Sequence, residues 1–201
     1  MAAPPTLTIL IPVYNERATI LEVVKRVVVC DSVRLVSRVQ IVIVDDDSTD
    51  GTEEIVADLG RGWRALVPVD AEVASRITVL ALRHERNRGE GAALRTGIEQ
   101  ATGEFLIVQD ADLEYDPTDY PQLLRPLFAD RADAVYGSRF LPSERRVLLF
   151  WHSIGNTLIT LAANMATDLN LSDVETGYKA FRTAMLQQLD LESDRFGIEM
   201  N

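Results

Sequence analysis

Two aspartates, Asp110 and Asp112, have the clearest chemical potential in this sequence, because they directly follow the run Phe-Leu-Ile-Val-Gln at residues 105–109. In an extended turn, residues two apart point to the same side, so both carboxylates can face one cation. Glu114 continues this alternation and can add a third oxygen. Ligand sets made only of oxygen suit Mg²⁺ or Mn²⁺. We therefore predict a divalent metal bound by Asp110, Asp112 and Glu114.

An acidic turn of this kind also occurs without a metal, as a solvated loop or as the cap of a following helix, and Asp116-Pro117 favours a helix just beyond. A site is favoured because polar or turn-forming residues follow the other apolar runs too. The carboxyl ends of parallel strands lie at one edge of a sheet, where ligands bind. The stretches concerned are 12–16, 45–52, 84–91 and 137–139.

The elements that would position these residues follow from hydrophobic periodicity. Short apolar runs rich in β-branched residues predict strands, and longer amphipathic runs between them predict helices. The predicted strands are 7–13, 39–44, 77–82, 105–109 and 134–136, and the predicted helices are 18–29, 52–59, 91–101 and 120–128. Continuous apolar strands indicate a sheet covered on both faces. We predict an α/β, doubly wound, Rossmann-like fold with a mostly parallel sheet, an irregular insertion at 60–75 and a long helix near 147–169.

Composition limits the possible partners. The chain has 201 residues and a formal net charge of −11, which disfavours nucleic acid. Its one cysteine, Cys30, excludes an internal disulfide and weakly favours a reducing, cytoplasmic setting. No signal peptide or membrane-spanning stretch is visible in the sequence. We expect a single domain over residues 1–201.

The adjacent carboxylates of Asp45, Asp46 and Asp47 repel one another, which destabilises the fold unless they are solvated or contact hydrogen-bond donors or a cation. Ser48, Thr49 and Asp50 suit a helix N-cap, whereas Asp45 and Asp46 are better placed to hydrogen-bond a ligand's ring or ribose. The glycines within 87–91 would allow close approach of a phosphate to the next helix, although a plain turn explains them equally well.

Six ordered stretches together resemble the inverting family 2 glycosyltransferases of GT-A fold, and within them the polyprenyl-phosphate sugar transferases. The stretches read IPVYNE from residue 11, VDDDSTDGT from 44, NRGEGAALRTGI from 87, DADLEYDP from 110, YGSRF from 136 and ETGYKAFR from 175. The resemblance covers nearly the whole chain. It implies transfer of a sugar, with inversion, from a nucleotide-diphosphate donor such as GDP-mannose or a UDP-hexose.

The resemblance also implies roles for individual residues. Asp110, Ala111 and Asp112 would lie at the metal and the diphosphate, and Arg139 would reach a phosphate. The donor's base and ribose would contact Pro12, Tyr14, Glu16, Val44 and Asp46.

The acceptor side is less defined. A polyprenyl phosphate is favoured by the resemblance, with a glycan as the alternative. Asp112, Asp173 and Glu175 are the candidate catalytic residues, the last two for base catalysis or acceptor orientation, although a turn acid explains both equally well. Arg145 and Arg146, ahead of apolar residues 147–151, could meet lipid headgroups at the cytoplasmic face of a membrane, or form a charged loop. The sequence is also compatible with a homo-oligomer.

Three departures from the family pattern stand out. Glu90 replaces a common lysine, Asp47 replaces a small residue, and the chain ends where relatives continue, so we expect a catalytic domain shortened at its C-terminus. His84 and His152 are isolated, and we predict structural roles for both. The rival functions are a donor-binding module without turnover, a sugar-phosphate nucleotidyltransferase and a receiver-like signalling domain.

Overall fold

The computed structural model describes residues 4–137, 150–168, 172–173, 176–191 and 194. Six strands form one sheet, and their bounds are β1 Thr6–Val13, β2 Arg38–Asp45, β3 Ile77–Arg83, β4 Phe105–Val108, β5 Ala134–Tyr136 and β6 Lys179–Arg182. The helices are α1 Ile20–Val29, α2 Ser32–Leu35, α3 Thr52–Leu66, α4 Ala71–Arg76, α5 Glu90–Glu99, α6 Tyr120–Phe128, α7 Phe150–Thr167 and α8 Thr183–Leu186, with a short 3-10 helix at Pro117–Asp119.

The strand order in the sheet is β3-β2-β1-β4-β6-β5. The first four strands of the chain run parallel, and β6 alone is antiparallel to its neighbours β4 and β5. The predicted mostly parallel α/β sheet is therefore confirmed. A receiver-like domain would place its strands in the order 2-1-3-4-5, so that rival is excluded by topology.

Both faces of the sheet are covered, as the continuous apolar strands predicted. Alternate residues of β1 point to opposite faces: Ile9 and Ile11 join a core with α1, α3 and α6, whereas Leu10 joins a core with α5 and α8. All three side chains are fully buried. This double cover fixes β1 at the centre of the molecule and places the loop after it above the sheet edge.

Two sequence predictions were wrong. Residues 60–75 are not irregular, because α3 continues to Leu66 through a kink at Gly62 and buries Trp63, and α4 follows. β6 was missed because it has only four residues and is charged at both ends, by Lys179 and Arg182. A strand this short gains its identity from pairing with β4 and β5 rather than from its own pattern.

The close packing of α5 on β1 gives the first testable prediction. A Cβ added at Gly97 would lie 2.0 Å from Cδ1 of the buried Leu10. We expect Gly97→Ala to lower the free energy of unfolding by about 1–2 kcal/mol, since overpacking outweighs the better helix propensity of alanine. Urea denaturation measures the change. Gly155→Ala in α7, where a Cβ meets nothing within 4 Å, is the control and should be neutral or stabilising.

Candidate active site at the carboxyl ends of the strands

A cleft of about 530 Å³ opens where β1, β2 and β4 end. It brings together residues that the sequence placed on four separate loops, and most of the predicted donor-binding residues lie on its wall. The lining residues are Pro12, Val13, Tyr14, Glu16, Asp46, Asn87, Gly89, Glu90, Ala93, Asp110, Ala111 and Asp112. The predicted clustering of polar side chains at one sheet edge is therefore observed.

The loops after β1 and β2 are tied together by hydrogen bonds. The backbone N–H of Asn15 donates to Ser48 Oγ at 2.9 Å, and the side chain of Asn15 accepts from the N–H of Thr49 at 2.9 Å. Asn15 adopts a left-handed conformation, with φ of 57°, which asparagine tolerates well. This exchange fixes the direction of Tyr14, which is half exposed over the cleft.

Asp46 organises the third loop. Its carboxylate is buried and accepts hydrogen bonds from the backbone N–H groups of Arg88 (2.9 Å) and Gly89 (2.7 Å). His84 Nδ1 lies 2.6 Å from the same carboxylate. Gly89 has φ of 97°, a conformation that only glycine adopts without strain, and it precedes the first residue of α5. Asp46 thus shapes the cleft wall while also facing the cleft.

Two residues expected to contact the donor near Asp46 have buried side chains. Asp45 is fully buried, and its carboxylate turns away to accept from the N–H and the hydroxyl of Ser48. Its second oxygen accepts no hydrogen bond and faces Arg83 Nε at 3.6 Å. The side chain of Val44 is also fully buried, in the core beneath α5, so a donor contact of this residue would have to be made by its backbone. Asp45 and Val44 serve to position Asp46.

The run of three acids is accommodated by geometry as well as by donors. Asp47 has φ of 63°, which explains why a small residue or asparagine suits this position. Its carboxylate pairs with Arg83 Nη2 at 3.2 Å. Asp50 accepts from the N–H of Thr52 at 3.0 Å, but the N-cap of α3 is Gly51, so none of Ser48, Thr49 and Asp50 occupies the predicted N-cap position.

Asp110 is a strongly perturbed carboxyl of the cleft. Burial, followed by the negative charges of Glu90, Asp112 and Glu114, raises its pKa to about 7, and the positive charge of Lys179 opposes this rise. Gly177 lies directly against it, since a Cβ there would come within 2.2 Å of Asp110 Oδ2. Such a site favours either a proton or a cation.

The backbone around Asp110 is held by an aromatic and amide network. Gln109 Nε2 donates to the carbonyl oxygens of Asp110 (3.0 Å) and Tyr115 (3.2 Å), and Gln109 Oε1 accepts from Tyr120 at 2.8 Å. The ring of Tyr115 stacks on that of Tyr178 with centroids 4.8 Å apart. These contacts fix the turn that carries Asp110 and Asp112.

The predicted metal ligands fit a cation only in part. Asp112 lies on the cleft wall and its Oδ1 accepts from the N–H of Glu114 at 2.8 Å. Across the described residues, no three carboxylate, histidine or cysteine side chains gather closely enough to form a ready metal cluster. The raised pKa of Asp110 nonetheless indicates uncompensated negative charge. A Mg²⁺ or Mn²⁺ ion here would take ligands from a bound diphosphate as well as from the protein.

The acceptor-side candidates are less well placed. Asp173 is buried and accepts from Asn156 Nδ2 of α7 at 2.9 Å, and it does not line the cleft. A role as general base is therefore not supported for Asp173, which leaves a positioning role. Arg139 and Glu175 lie outside the described residues, as do Arg145 and Arg146.

Sequence reasoning missed two contributors to the site. His84 has no motif around it, and its partner Asp46 lies 38 residues away in sequence. Lys179 is buried on β6 with Nζ 5.4 Å from the ring of Tyr136, and it is a positive charge acting on Asp110. The stretch from residue 175 that carried the resemblance contains Lys179, but its strand was not predicted.

Solved structures define the fold class. Glucosyl-3-phosphoglycerate synthase of M. tuberculosis, in complex with Mn²⁺, UDP-glucose and phosphoglyceric acid, superposes with a TM-score of 0.66 at 22% identity, over 98% of this chain and 63% of that chain. TarS of S. aureus in complex with UDP superposes with a TM-score of 0.61 at 21% identity, over 97% of this chain and 53% of that chain. At this identity the likeness shows the fold alone, which is GT-A-like.

The family follows from sequence comparison. The model described as Glycosyl transferase family 2 matches residues 8–190, so the chain belongs to glycosyltransferase family 2. UDP-N-acetylglucosamine–dolichyl-phosphate N-acetylglucosaminyltransferase of Methanococcus voltae is 27% identical over 90% of this chain and 71% of its own length. Undecaprenyl-phosphate 4-deoxy-4-formamido-L-arabinose transferase of Pseudomonas syringae is 31% identical over 90% of this chain and 49% of its own length. The chain thus spans only part of each relative's length.

The pKa of Asp110 gives the second prediction. Because burial and neighbouring acids raise it from 3.8 to about 7, the ionised carboxylate destabilises the folded state increasingly as pH rises through that interval. We expect Asp110→Asn to match the parent chain near pH 4 and to be about 1–3 kcal/mol more stable at pH 8, measured by denaturation in EDTA. A stability difference that does not change between pH 4 and pH 8 would contradict this assignment.

Proposed function

We propose that this chain transfers a hexose, with inversion, from a nucleoside-diphosphate donor to a polyprenyl phosphate, with a divalent metal ion assisting. The observation that carries the proposal is the cleft that joins Tyr14, Asp46, Asp110 and Asp112 at the carboxyl ends of three strands. Family membership supports sugar transfer, and the names of the two relatives above support a lipid phosphate as the acceptor. GDP-mannose and UDP-hexoses are the candidate donors.

The proposed donor site assigns a part of the cleft to each end of the nucleotide sugar. Tyr14, half exposed, offers a ring for the base, and Pro12 and Glu16 lie beside it on the same wall. Asp46 lies on the same cleft, where its exposed edge would meet the base or ribose. Asp112 faces the diphosphate end. A divalent ion held by Asp112 beside Asp110 would supply positive charge against the leaving diphosphate.

The proposed reaction is a direct displacement. A phosphate oxygen of the acceptor forms a bond to the anomeric carbon as the bond from that carbon to the diphosphate oxygen breaks, and the nucleoside diphosphate leaves with the electron pair. A lipid phosphate is already an anion, so no residue has to remove a proton from it. This is consistent with the burial of Asp173 away from the cleft. A glycan hydroxyl as acceptor would require a general base.

One observation favours a second candidate, a donor-binding module without turnover. Glu90 lies on the cleft wall, where its negative charge disfavours a diphosphate and contributes to the raised pKa of Asp110. The loss of one cation from a phosphate site weakens the stabilisation of the leaving group. The two candidates share a donor site and differ only in turnover.

The third prediction concerns Asp112. Titration of UDP- and GDP-sugars with and without Mn²⁺ should raise the melting temperature in a metal-dependent way, and Asp112→Ala should abolish that dependence. With undecaprenyl phosphate present, release of nucleoside diphosphate should fall by about 100-fold in kcat/KM in the same variant. Glu99→Ala, an exposed acid at the far end of α5, is the matched control.

The outcomes separate the candidates. Metal-dependent stabilisation without nucleotide release would favour the binding module. An unchanged metal response in Asp112→Ala would count against the donor site itself. Release that does not depend on the lipid phosphate would point to another acceptor.

A peripheral membrane contact is part of the proposal, and helix α7 supports it. Two of its polar side chains, Asn156 and Thr160, are buried. Its exposed face is mainly apolar, with Thr157 also exposed, and the segment from Phe150 to Thr167 contains no Asp, Glu, Lys or Arg. The exposed apolar side chains are Leu158, Ile159, Leu161 and Met165. None of the helices that the structure describes has the length and apolar content to cross a bilayer.

We assign a lipid surface as the occupant of this face. An amphipathic helix with an apolar face suits the boundary between headgroups and acyl chains. The opposite face holds Asp173 through Asn156, so the helix is anchored on the side where sequence reasoning placed the acceptor. A polyprenyl phosphate is itself dissolved in a bilayer, and a transferase that uses it has to meet that surface.

The fourth prediction tests this face. Replacing Leu158, Leu161 and Met165 together by serine should reduce co-sedimentation with phosphatidylcholine–phosphatidylglycerol vesicles by about tenfold, because three apolar contacts are lost. Serine at Val29 and Leu35, which are similarly exposed on α1 and α2, is the control and should leave binding unchanged. Vesicle binding that survives the triple change, or is absent from the parent chain, would refute the assignment. A dimer that dissociates in the triple variant would assign the face to a second copy.

A further inference from the structure

His84 lies at the end of β3, beneath the cleft rather than on its wall, and only 8% of its surface is exposed. Both ring nitrogens have partners. Nδ1 is 2.6 Å from Asp46 Oδ1, and Nε2 is 2.9 Å from the hydroxyl of Thr96 on α5. The imidazole therefore bridges the end of β2 and the helix that follows the third loop.

The neutral ring satisfies both contacts with one tautomer. In that tautomer Nδ1–H donates to the Asp46 carboxylate, and Nε2 accepts a hydrogen bond from the Thr96 hydroxyl. Each partner thereby fixes the other's orientation.

The Asp46 carboxylate needs these donors because it is almost completely buried. Oδ1 accepts from His84, Oδ2 accepts from the N–H of Gly89, and the N–H of Arg88 is shared between the two oxygens at 2.9 and 3.1 Å. The Asp46 carbonyl also accepts from Asn87 Nδ2 at 3.3 Å. Two consecutive residues of the cleft-side loop, Arg88 and Gly89, thus depend on the orientation of one carboxylate, and Asn87 is held by the backbone of the same residue.

We propose that His84 is a positioning residue for donor binding, which acts by holding the Asp46 carboxylate in the orientation that fixes the loop 87–89. The inference rests on the proposed function, since that loop and Asp46 form one wall of the donor cleft. Without the Nδ1–H donor, Asp46 can rotate, and the N–H groups of Arg88 and Gly89 lose their common acceptor. The loop then has to be reordered each time a donor binds, which weakens binding.

The test uses the two amides that imitate one ring nitrogen each. In His84→Asn the amide nitrogen replaces Nδ1 and can still donate to Asp46, whereas in His84→Gln it reaches only toward Thr96. We expect the Kd for UDP or GDP, measured by calorimetry with Mn²⁺, to rise about tenfold or more in His84→Gln and His84→Ala, and to stay within about threefold in His84→Asn. In turnover assays the donor KM should rise more than kcat falls.

The control separates positioning from loss of stability. Val28→Ala removes buried volume from α1, away from the cleft, and should lower the melting temperature without changing the Kd. If the parent chain binds neither nucleotide, the proposed function fails. If the parent binds and His84→Gln binds equally well, the proposed function survives and the role of His84 is refuted. Equal weakening in the asparagine and glutamine variants also refutes it, because filling space would then be the only function of the ring.

Discussion

The structure depends on how it compensates the carboxylates that it buries at one edge of its sheet. Asp45 and Asp46 continue β2 below the surface, where an ionised group without donors would be prohibitively costly. Ser48 supplies donors to the first, and His84 with the third loop supplies them to the second. The same hydrogen bonds tie the loops to the strand ends. Asp110 differs from these two residues, because its negative charge would be buried among other negative charges that are not offset, and its pKa is raised. The compensated pair builds the cleft, and the uncompensated carboxyl favours either a proton or a cation.

Much of the fold could be predicted from sequence because the central strands are buried on both faces. The apolar runs that predicted β1 to β4 end within about one residue of the observed strands, since the change from apolar to polar residues coincides with the emergence of each strand from the core. The failures occur where tertiary contacts decide. β6 has four residues and exists through its pairing with β4, and Gly62 interrupts the pattern of a helix that nevertheless continues to bury Trp63. Neither outcome is encoded in local periodicity.

The sequence indicated where the candidate site lies, but not which of its side chains face the cleft. The carboxyl ends of parallel strands meet at one edge, so Tyr14, Asp46 and Asp112 were correctly expected to share a cleft. In a run of three aspartates, however, nothing local distinguishes the one that is fully buried from the one that faces the cleft. An isolated histidine gave still less information, because its role depends on a carboxylate and a hydroxyl brought to it by two other elements. Residue type indicates which chemistry is available, and only packing decides which groups remain free to perform it.

Glu90 shows how a favourable local interaction can impose a requirement on the site. At the first position of α5 its carboxylate is stabilised by the positive end of the helix dipole, so the fold gains from its presence. The same charge faces Asp110, where a lysine would have offset part of the negative potential. A diphosphate entering this cleft adds further negative charge to that of Asp110, Asp112 and Glu90. Lys179 is the positive charge that acts on Asp110, and it is a single charge on a buried strand. If a nucleoside diphosphate binds here as proposed, this charge balance is the strongest physical reason to expect a divalent cation to enter with it.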